Sequence, residues 1–197
     1  MQTPTGFGRR VSSTRASTHQ IAGVGLAVAT AAAVHATTAS AAVLVAGAWL
    51  GSLLPDADRA GSRIYRARRL ERRAWFVRIL GMIARLPLRL LLVLKHRGVT
   101  HSLLACAVAS IASGLIVSLV VPAAGVHFGA GVAIGYLAHI AADACTPSGV
   151  ALFVPVSRRR RWLLPAPVRI PTGSLREFAF TAIVAVAAVA ATAAFAG

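Results

Sequence analysis

Apolar residues in this 197-residue chain fall into long aliphatic runs that alternate with short polar or arginine-rich segments. A helix that crosses a bilayer needs about 20 residues. The first two runs reach that length only if neighbouring Ala, Thr and Gly residues are included. The pattern therefore predicts about five membrane-spanning helices, at 21–34, 41–54, 102–121, 128–145 and 178–195.

The segment between the second and third runs has a different periodicity. Arg78, Arg85 and Arg89 are spaced so that they share one face of a helix, and apolar side chains occupy the other face. Helices of this kind lie in the membrane interface. We therefore predict a basic amphipathic interfacial helix at 75–94, within an arginine-rich insertion at 59–95. Packing of this helix against the spans is the alternative.

Composition supports a membrane protein. Apolar residues make up 57% of the chain and charged residues only 13%, which argues against both a soluble globular domain and a disordered chain. The predicted fold is an all-α integral membrane protein, a bundle of about five transmembrane helices plus the interfacial helix. We expect a basic cytoplasmic N-terminal tail at 1–18 and a single membrane-embedded helical domain at 19–196.

Charge predicts the topology. The chain has 21 Lys and Arg against 5 Asp and Glu, and the basic residues concentrate in 1–18, 55–100 and 157–176. Basic segments remain cytoplasmic, and two predicted spans separate each consecutive pair of them. We therefore expect a multi-pass protein with a cytoplasmic N-terminus, whose basic segments contact a bilayer with anionic lipids. Nucleic acid is not an expected partner, because few aromatic residues accompany the arginines.

The first run also has the features of a secretory signal. A basic start, an apolar run at 21–34 and small residues at 36–42 fit that pattern. Cleavage there would remove His19. The regular alternation of basic segments and paired spans favours retention of this run.

Ionisable residues gather on one side of the predicted membrane. Seven of the eleven Asp, Glu and His residues fall at the cytoplasmic ends of the predicted spans. His139 and Asp143 are four residues apart and share a helix face, and ionisable groups in an apolar segment are costly and usually functional. We therefore predict a metal site. Its expected ligands are His19, Asp56, His101, His139 and Asp143.

The residue types narrow the chemistry. Imidazole and carboxylate together suit zinc, manganese or iron better than calcium or magnesium, so we expect one or two divalent ions, with zinc preferred. Asp58 or His96 is predicted to act as general base or to orient a ligand, and Arg97 to bind a phosphate or carboxylate. Glu177 follows Ser174 as in a capping box; a capping role is favoured over a role as catalytic acid.

Several of these residues stand in recognisable motifs. Together the motifs resemble the YdjM-type membrane-bound metal-dependent hydrolases. The resemblance implies a bacterial inner-membrane protein in which the matching His and Asp residues bind metal; the insertion at 59–95 departs from the compact family pattern. The motifs, in chain order, are His19, Leu54-Pro-Asp-Ala-Asp58, His96-Arg-Gly-Val-Thr-His-Ser102, Gly135-Tyr-Leu-Ala-His139 with Asp143, Thr146-Pro-Ser-Gly149, and Thr172-Gly-Ser174 with Glu177.

A more distant likeness, at the level of the His and HxxxD pattern, is to zinc-dependent phospholipase C and related nucleases. The expected function is therefore metal-dependent hydrolysis of a phosphoester or phospholipid at the cytoplasmic membrane interface, through a metal-activated water. The alternative is a non-enzymatic metal-binding scaffold or transporter. A transporter would place ionisable groups near the bilayer midplane, whereas here they gather at one rim.

Overall fold

The computed structural model describes residues 11–58 and 99–196. Within these ranges the regular secondary structure is helical, apart from one isolated antiparallel bridge between Val150 and Arg161, and the connection 145–174 is mostly turn and loop. The all-α prediction is confirmed. The predicted interfacial helix at 75–94, the insertion at 59–95 and residues 1–10 lie outside the described residues. The α-helices are α1 (Val11–Ala33), α2 (Thr38–Gly51), α3 (Leu103–Ser118), α4 (Gly125–Ala144) and α5 (Leu175–Ala196).

The start of α1 differs from the sequence prediction, whereas the start of α3 agrees with it. α1 begins at Val11, ten residues before the first apolar run, and it buries Thr18 and His19. The second part of the predicted N-terminal tail is therefore helical. α3 is capped by Ser102, whose hydroxyl oxygen accepts a hydrogen bond from the Ala105 N–H at 3.1 Å. A neutral hydroxyl satisfies one of the free N–H groups at the start of this helix.

Two described segments are long and apolar enough to cross a membrane. They are Pro122–Ala144 and Leu175–Ala194, judged by length and composition. The helices Thr38–Gly51 and Leu103–Ser118 are apolar but shorter. The prediction of five spans therefore remains a prediction, of which the structure supports two.

α4 is the centre of the bundle. It packs against α1, α2 and α3, whereas α5 packs against α1. Buried positions run the length of α4, from Gly125 to Ala144. In contrast, only 6% of the apolar segment of α5 is buried inside the protein.

Glycines bring α2 and α4 into backbone contact. A Cβ atom added at Gly51 would lie 2.2 Å from the carbonyl oxygen of Val132, and one added at Gly135 would lie 2.0 Å from that of Ala48. Small residues allow apolar helices to approach this closely. The C-terminal end of α2 is consequently held beside the last turns of α4.

Candidate metal centre

Four separate elements bring His and Asp side chains together near the C-terminal end of α4. His139 and Asp143 lie one turn apart on α4, and His19 comes from α1. Asp56 lies in the 3-10 helix Pro55–Asp58, which follows α2. His101 ends the 3-10 helix Val99–His101, which precedes α3. The structure thus places all five predicted ligand residues in one region.

Asp143 lies at the centre of this group. Its Oδ1 is 3.6 Å from Nε2 of His19, and its Oδ2 is 3.4 Å from Nε2 of His101 and 4.0 Å from Nε2 of His139. The His101 Nε2 is also 4.0 Å from Oδ1 of Asp56. Two ligand atoms bound to one tetrahedral zinc at about 2.1 Å are about 3.4 Å apart. The spacing therefore suits a shared cation.

The orientation of His139 is set by the end of α2. Its Nδ1 lies 2.8 Å from the backbone carbonyl oxygen of Ser52. Because a carbonyl oxygen only accepts hydrogen bonds, Nδ1 carries the proton and donates it. In the neutral ring, Nε2 then presents its lone pair towards Asp143. This is the usual arrangement of a metal-binding histidine, whose other nitrogen donates to a backbone carbonyl or carboxylate.

His101 is held by a short polar network. The Thr100 hydroxyl lies 3.2 Å from His101 Nδ1, and the Tyr136 hydroxyl donates a hydrogen bond to the Thr100 carbonyl oxygen. Tyr136 is on α4, one turn before His139. The 3-10 helix that carries His101 is therefore tied to the helix that carries Asp143.

Two imidazole nitrogens are buried without a hydrogen-bond partner among the described residues. They are Nδ1 of His19 and Nε2 of His139. The two rings stack, with centroids 3.9 Å apart and planes inclined by 19°. An unpaired buried polar atom costs about 1–3 kcal/mol, and a cation beside Asp143 would supply the missing partner of His139 Nε2, whereas His19 faces the same carboxylate through its Nε2. The residues present therefore fit a metal ion.

The ligand atoms form two overlapping sets. In each set, one ligand atom per residue lies within 4.8 Å of the others, and both sets include His139. The side chains of His101 and His139 are 0% and 1% exposed, whereas that of Asp56 is 22% exposed. The first set contains His19, His139 and Asp143, and the second contains Asp56, His101 and His139.

A small cleft leads to the centre between α1, α4 and α5. His19, Asp143 and Glu177 line it together with the hydroxyl residues Thr18, Thr146 and Thr172 and with apolar side chains. Cys145 also lines the cleft, but neither set of ligand atoms found among the described residues includes it, so Cys145 remains outside the proposed ligand set.

Glu177 joins the start of α5 to α1. Its Oε2 accepts a hydrogen bond from the Gly173 N–H at 2.5 Å, and its Oε1 accepts one from the Thr18 hydroxyl at 3.1 Å. The Glu177 N–H lies 3.4 Å from the Ser174 hydroxyl oxygen. The geometry is close to the predicted capping box, except that the carboxylate caps Gly173 instead of Ser174. The contact with Thr18 also holds the neighbour of His19.

Three predicted site residues cannot be placed. His96 and Arg97 lie outside the described residues, as does the side chain of Asp58, and their roles remain predictions. The structure also adds residues that the sequence did not single out as part of the site. Ser52 acts through its backbone, which no sequence pattern marks, whereas Thr18, Thr146 and Thr172 are small hydroxyl residues next to predicted ligands or within the recognised motifs.

Comparison with known proteins identifies the family. The chain is 35% identical over 130 residues to the inner membrane protein YdjM of Escherichia coli (strain K12), and equally so to that of Shigella flexneri. Each alignment covers 65% of this chain and 55% of the relative, so the chain spans just over half the length of these curated relatives. No solved structure matches the chain. Together with the two candidate spans, these relatives support an inner-membrane location. The family described as YdjM inner membrane protein matches residues 15–196, and the chain therefore belongs to it.

Proposed function

We propose that this protein is a metal-dependent hydrolase of the inner membrane that acts on a phosphoester or phospholipid at the cytoplasmic interface. The observation that carries the proposal is the convergence of five His and Asp side chains, from four elements, around Asp143. Such a group of buried ionisable residues is costly in an apolar bundle and usually marks a functional site.

The mixed nitrogen and oxygen ligands favour zinc, with manganese or iron also compatible. When bound, such a cation polarises a phosphoryl oxygen and lowers the pKa of a water molecule. The protein's part is to fix the ligand atoms through Ser52 and Thr100, and to admit the substrate through the cleft. We assign Asp58 or His96 the role of general base or of orienting a ligand, and Arg97 that of binding a phosphate or carboxylate of the substrate.

The exposed surface of α5 supports a position within the bilayer. Val186 and Val189 are 68% and 70% exposed. An exposed apolar surface of this extent is unfavourable in water and marks a surface that contacts lipid or protein. We extend this to five spans with a cytoplasmic N-terminus, because the basic segments then all lie on one side. The 14-residue α2 is about 21 Å long, so it crosses the hydrocarbon core only together with its flanking residues.

The first test is metal analysis of the detergent-purified protein beside His139→Ala and Asp143→Ala. His127→Ala is the matched control, because His127 lies on the same helix three turns away and its Nδ1 lies 3.3 Å from the Ala123 carbonyl oxygen, away from the site. We expect bound metal in the wild type and the control, and its loss in both site variants. Unchanged metal in the site variants would overturn the site.

A phosphodiesterase screen on the same preparations tests the reaction. We expect hydrolysis that depends on added zinc or manganese and that is lost in Asp143→Ala. Metal that binds stoichiometrically without hydrolysis of any phosphodiester or phospholipid tested would instead favour the non-enzymatic metal-binding scaffold or transporter.

A further inference from the structure

The connection between α4 and α5 carries a surface that the metal centre does not use. Phe153 is 47% exposed, Val156 is 93% exposed and Leu163 is 62% exposed. Four consecutive exposed arginines, 158–161, stand between them, and no acidic residue occurs between Asp143 and Glu177. Large apolar side chains and positive charge are therefore presented together.

The fold holds this surface in place. Val150 and Arg161 exchange two backbone hydrogen bonds, of 3.0 and 2.7 Å, which close a hairpin-like loop. The Trp162 indole N–H donates to the Pro147 carbonyl oxygen at 3.1 Å. Gly149 has a φ of +61°, and a Cβ atom there would lie 2.6 Å from the Trp162 ring. These contacts within the protein fix the conformation of the loop.

The arginines in and near this loop differ in their contacts. Arg160 donates to the Ser148 carbonyl oxygen at 2.8 Å, and the Arg161 guanidinium lies 6.0 Å from the centroid of the Phe153 ring. Arg169 stacks on the Trp162 ring at 4.4 Å. These three stabilise the loop itself. Arg158 and Arg159, which follow Val156 by two and three residues and are exposed, are the ones we assign to an external partner.

The position of the loop indicates which partner. It joins the C-terminal end of α4 to the N-terminal end of α5, so it lies at the rim that contains the metal centre. Both adjoining helices contain segments that can cross a membrane. The boundary between lipid headgroups and acyl chains accepts apolar side chains and arginine guanidinium groups side by side. A nucleic acid would match the charge but would leave Phe153 and Val156 without a contact.

We propose that the loop 150–163 inserts Phe153 and Val156 into the anionic leaflet and binds lipid phosphates through Arg158 and Arg159. Anionic lipids concentrate on the cytoplasmic side and attract such clusters. This inference rests on the membrane topology proposed above and is independent of the hydrolase chemistry.

The test uses the full chain with a spin label on Val156→Cys, reconstituted in nanodiscs with or without phosphatidylglycerol in phosphatidylcholine. Because Cys106 and Cys145 are buried, the wild type treated with the same reagent gives the background. We expect the label to collide mainly with oxygen, to be protected from a water-soluble nickel complex, and to be better protected when phosphatidylglycerol is present.

Charge variants distinguish the contribution of the arginines. Arg158→Gln with Arg159→Gln should abolish the effect of phosphatidylglycerol, whereas Arg158→Lys with Arg159→Lys should retain it. A label that is equally accessible to the nickel complex in both lipids would overturn the proposal. So would protection that appears only in native membranes, which would indicate a protein partner. Bound metal, measured on the same samples, should stay at the wild-type amount, so a failure of the hydrolase proposal would remain distinguishable.

Discussion

The Nδ1 atom of His139 lies 2.8 Å from the backbone carbonyl oxygen of Ser52, which follows the last residue of α2. Because of this contact, the orientation of the His139 ring depends on how closely α2 and α4 approach each other. The carbonyl oxygen of Ser52 is available because it stands at the end of α2, where helical hydrogen bonding stops. The closeness of α2 to α4 should therefore control metal binding.

Gly135→Val tests this dependence. The added side chain would collide with the Ala48 carbonyl oxygen and push α2 away from α4, at a cost of about 1–3 kcal/mol or more. We expect a lower apparent thermal midpoint together with loss of bound metal. Ala141→Val, at an exposed position of the same helix, is the control and should change neither quantity. Full metal occupancy in Gly135→Val would show that the crossing distance does not govern the site.

Tyr136→Phe tests the network behind His101. The variant removes the hydrogen bond to the Thr100 carbonyl oxygen and loosens the 3-10 helix that carries His101. Residues that support a metal ligand contribute about 10–100-fold to affinity, and we expect about a 10-fold loss, measured by competition with a zinc-binding dye. Ser113→Ala removes one hydroxyl-to-backbone hydrogen bond elsewhere, on α3, and should leave the affinity unchanged. Equal affinities in both variants would contradict the assigned role.

Sequence periodicity predicted the helical class because aliphatic runs of this length have few other stable arrangements. It placed the start of α1 too late, since the buried Thr18 and His19 look polar in the sequence. The gathering of His19, Asp56 and His101 about Asp143 was predictable from their common position at the ends of runs. The contact of His139 with Ser52 was not, because it depends on a backbone atom and on the exact crossing of α2 and α4.

Glu177 is expected to act as a cap and as a link to α1. Glu177→Ala removes the acceptors for Thr18 and Gly173, and Thr18→Val removes one of the two donors. We expect each to lower stability by about 1–3 kcal/mol, and the double variant to lose less than the sum, because both act on one contact. A catalytic acid would behave differently: Glu177→Gln would abolish turnover while the apparent thermal midpoint and the bound metal stayed at wild-type values.

Metal binding should also be visible as stability. A ligand that binds only the folded state adds about 2.7 kcal/mol at a concentration 100 times its dissociation constant. We therefore expect zinc to raise the apparent thermal midpoint of the wild type and a chelator to lower it. Asp143→Asn keeps the shape of the side chain but removes the charge that faces His19, His101 and His139, so its midpoint should respond to neither. His127→Ala should respond as the wild type does, because His127 lies outside both sets of ligand atoms. A normal zinc response in Asp143→Asn would mean that the ion binds elsewhere on the chain, and the centre described around this carboxylate would have to be abandoned.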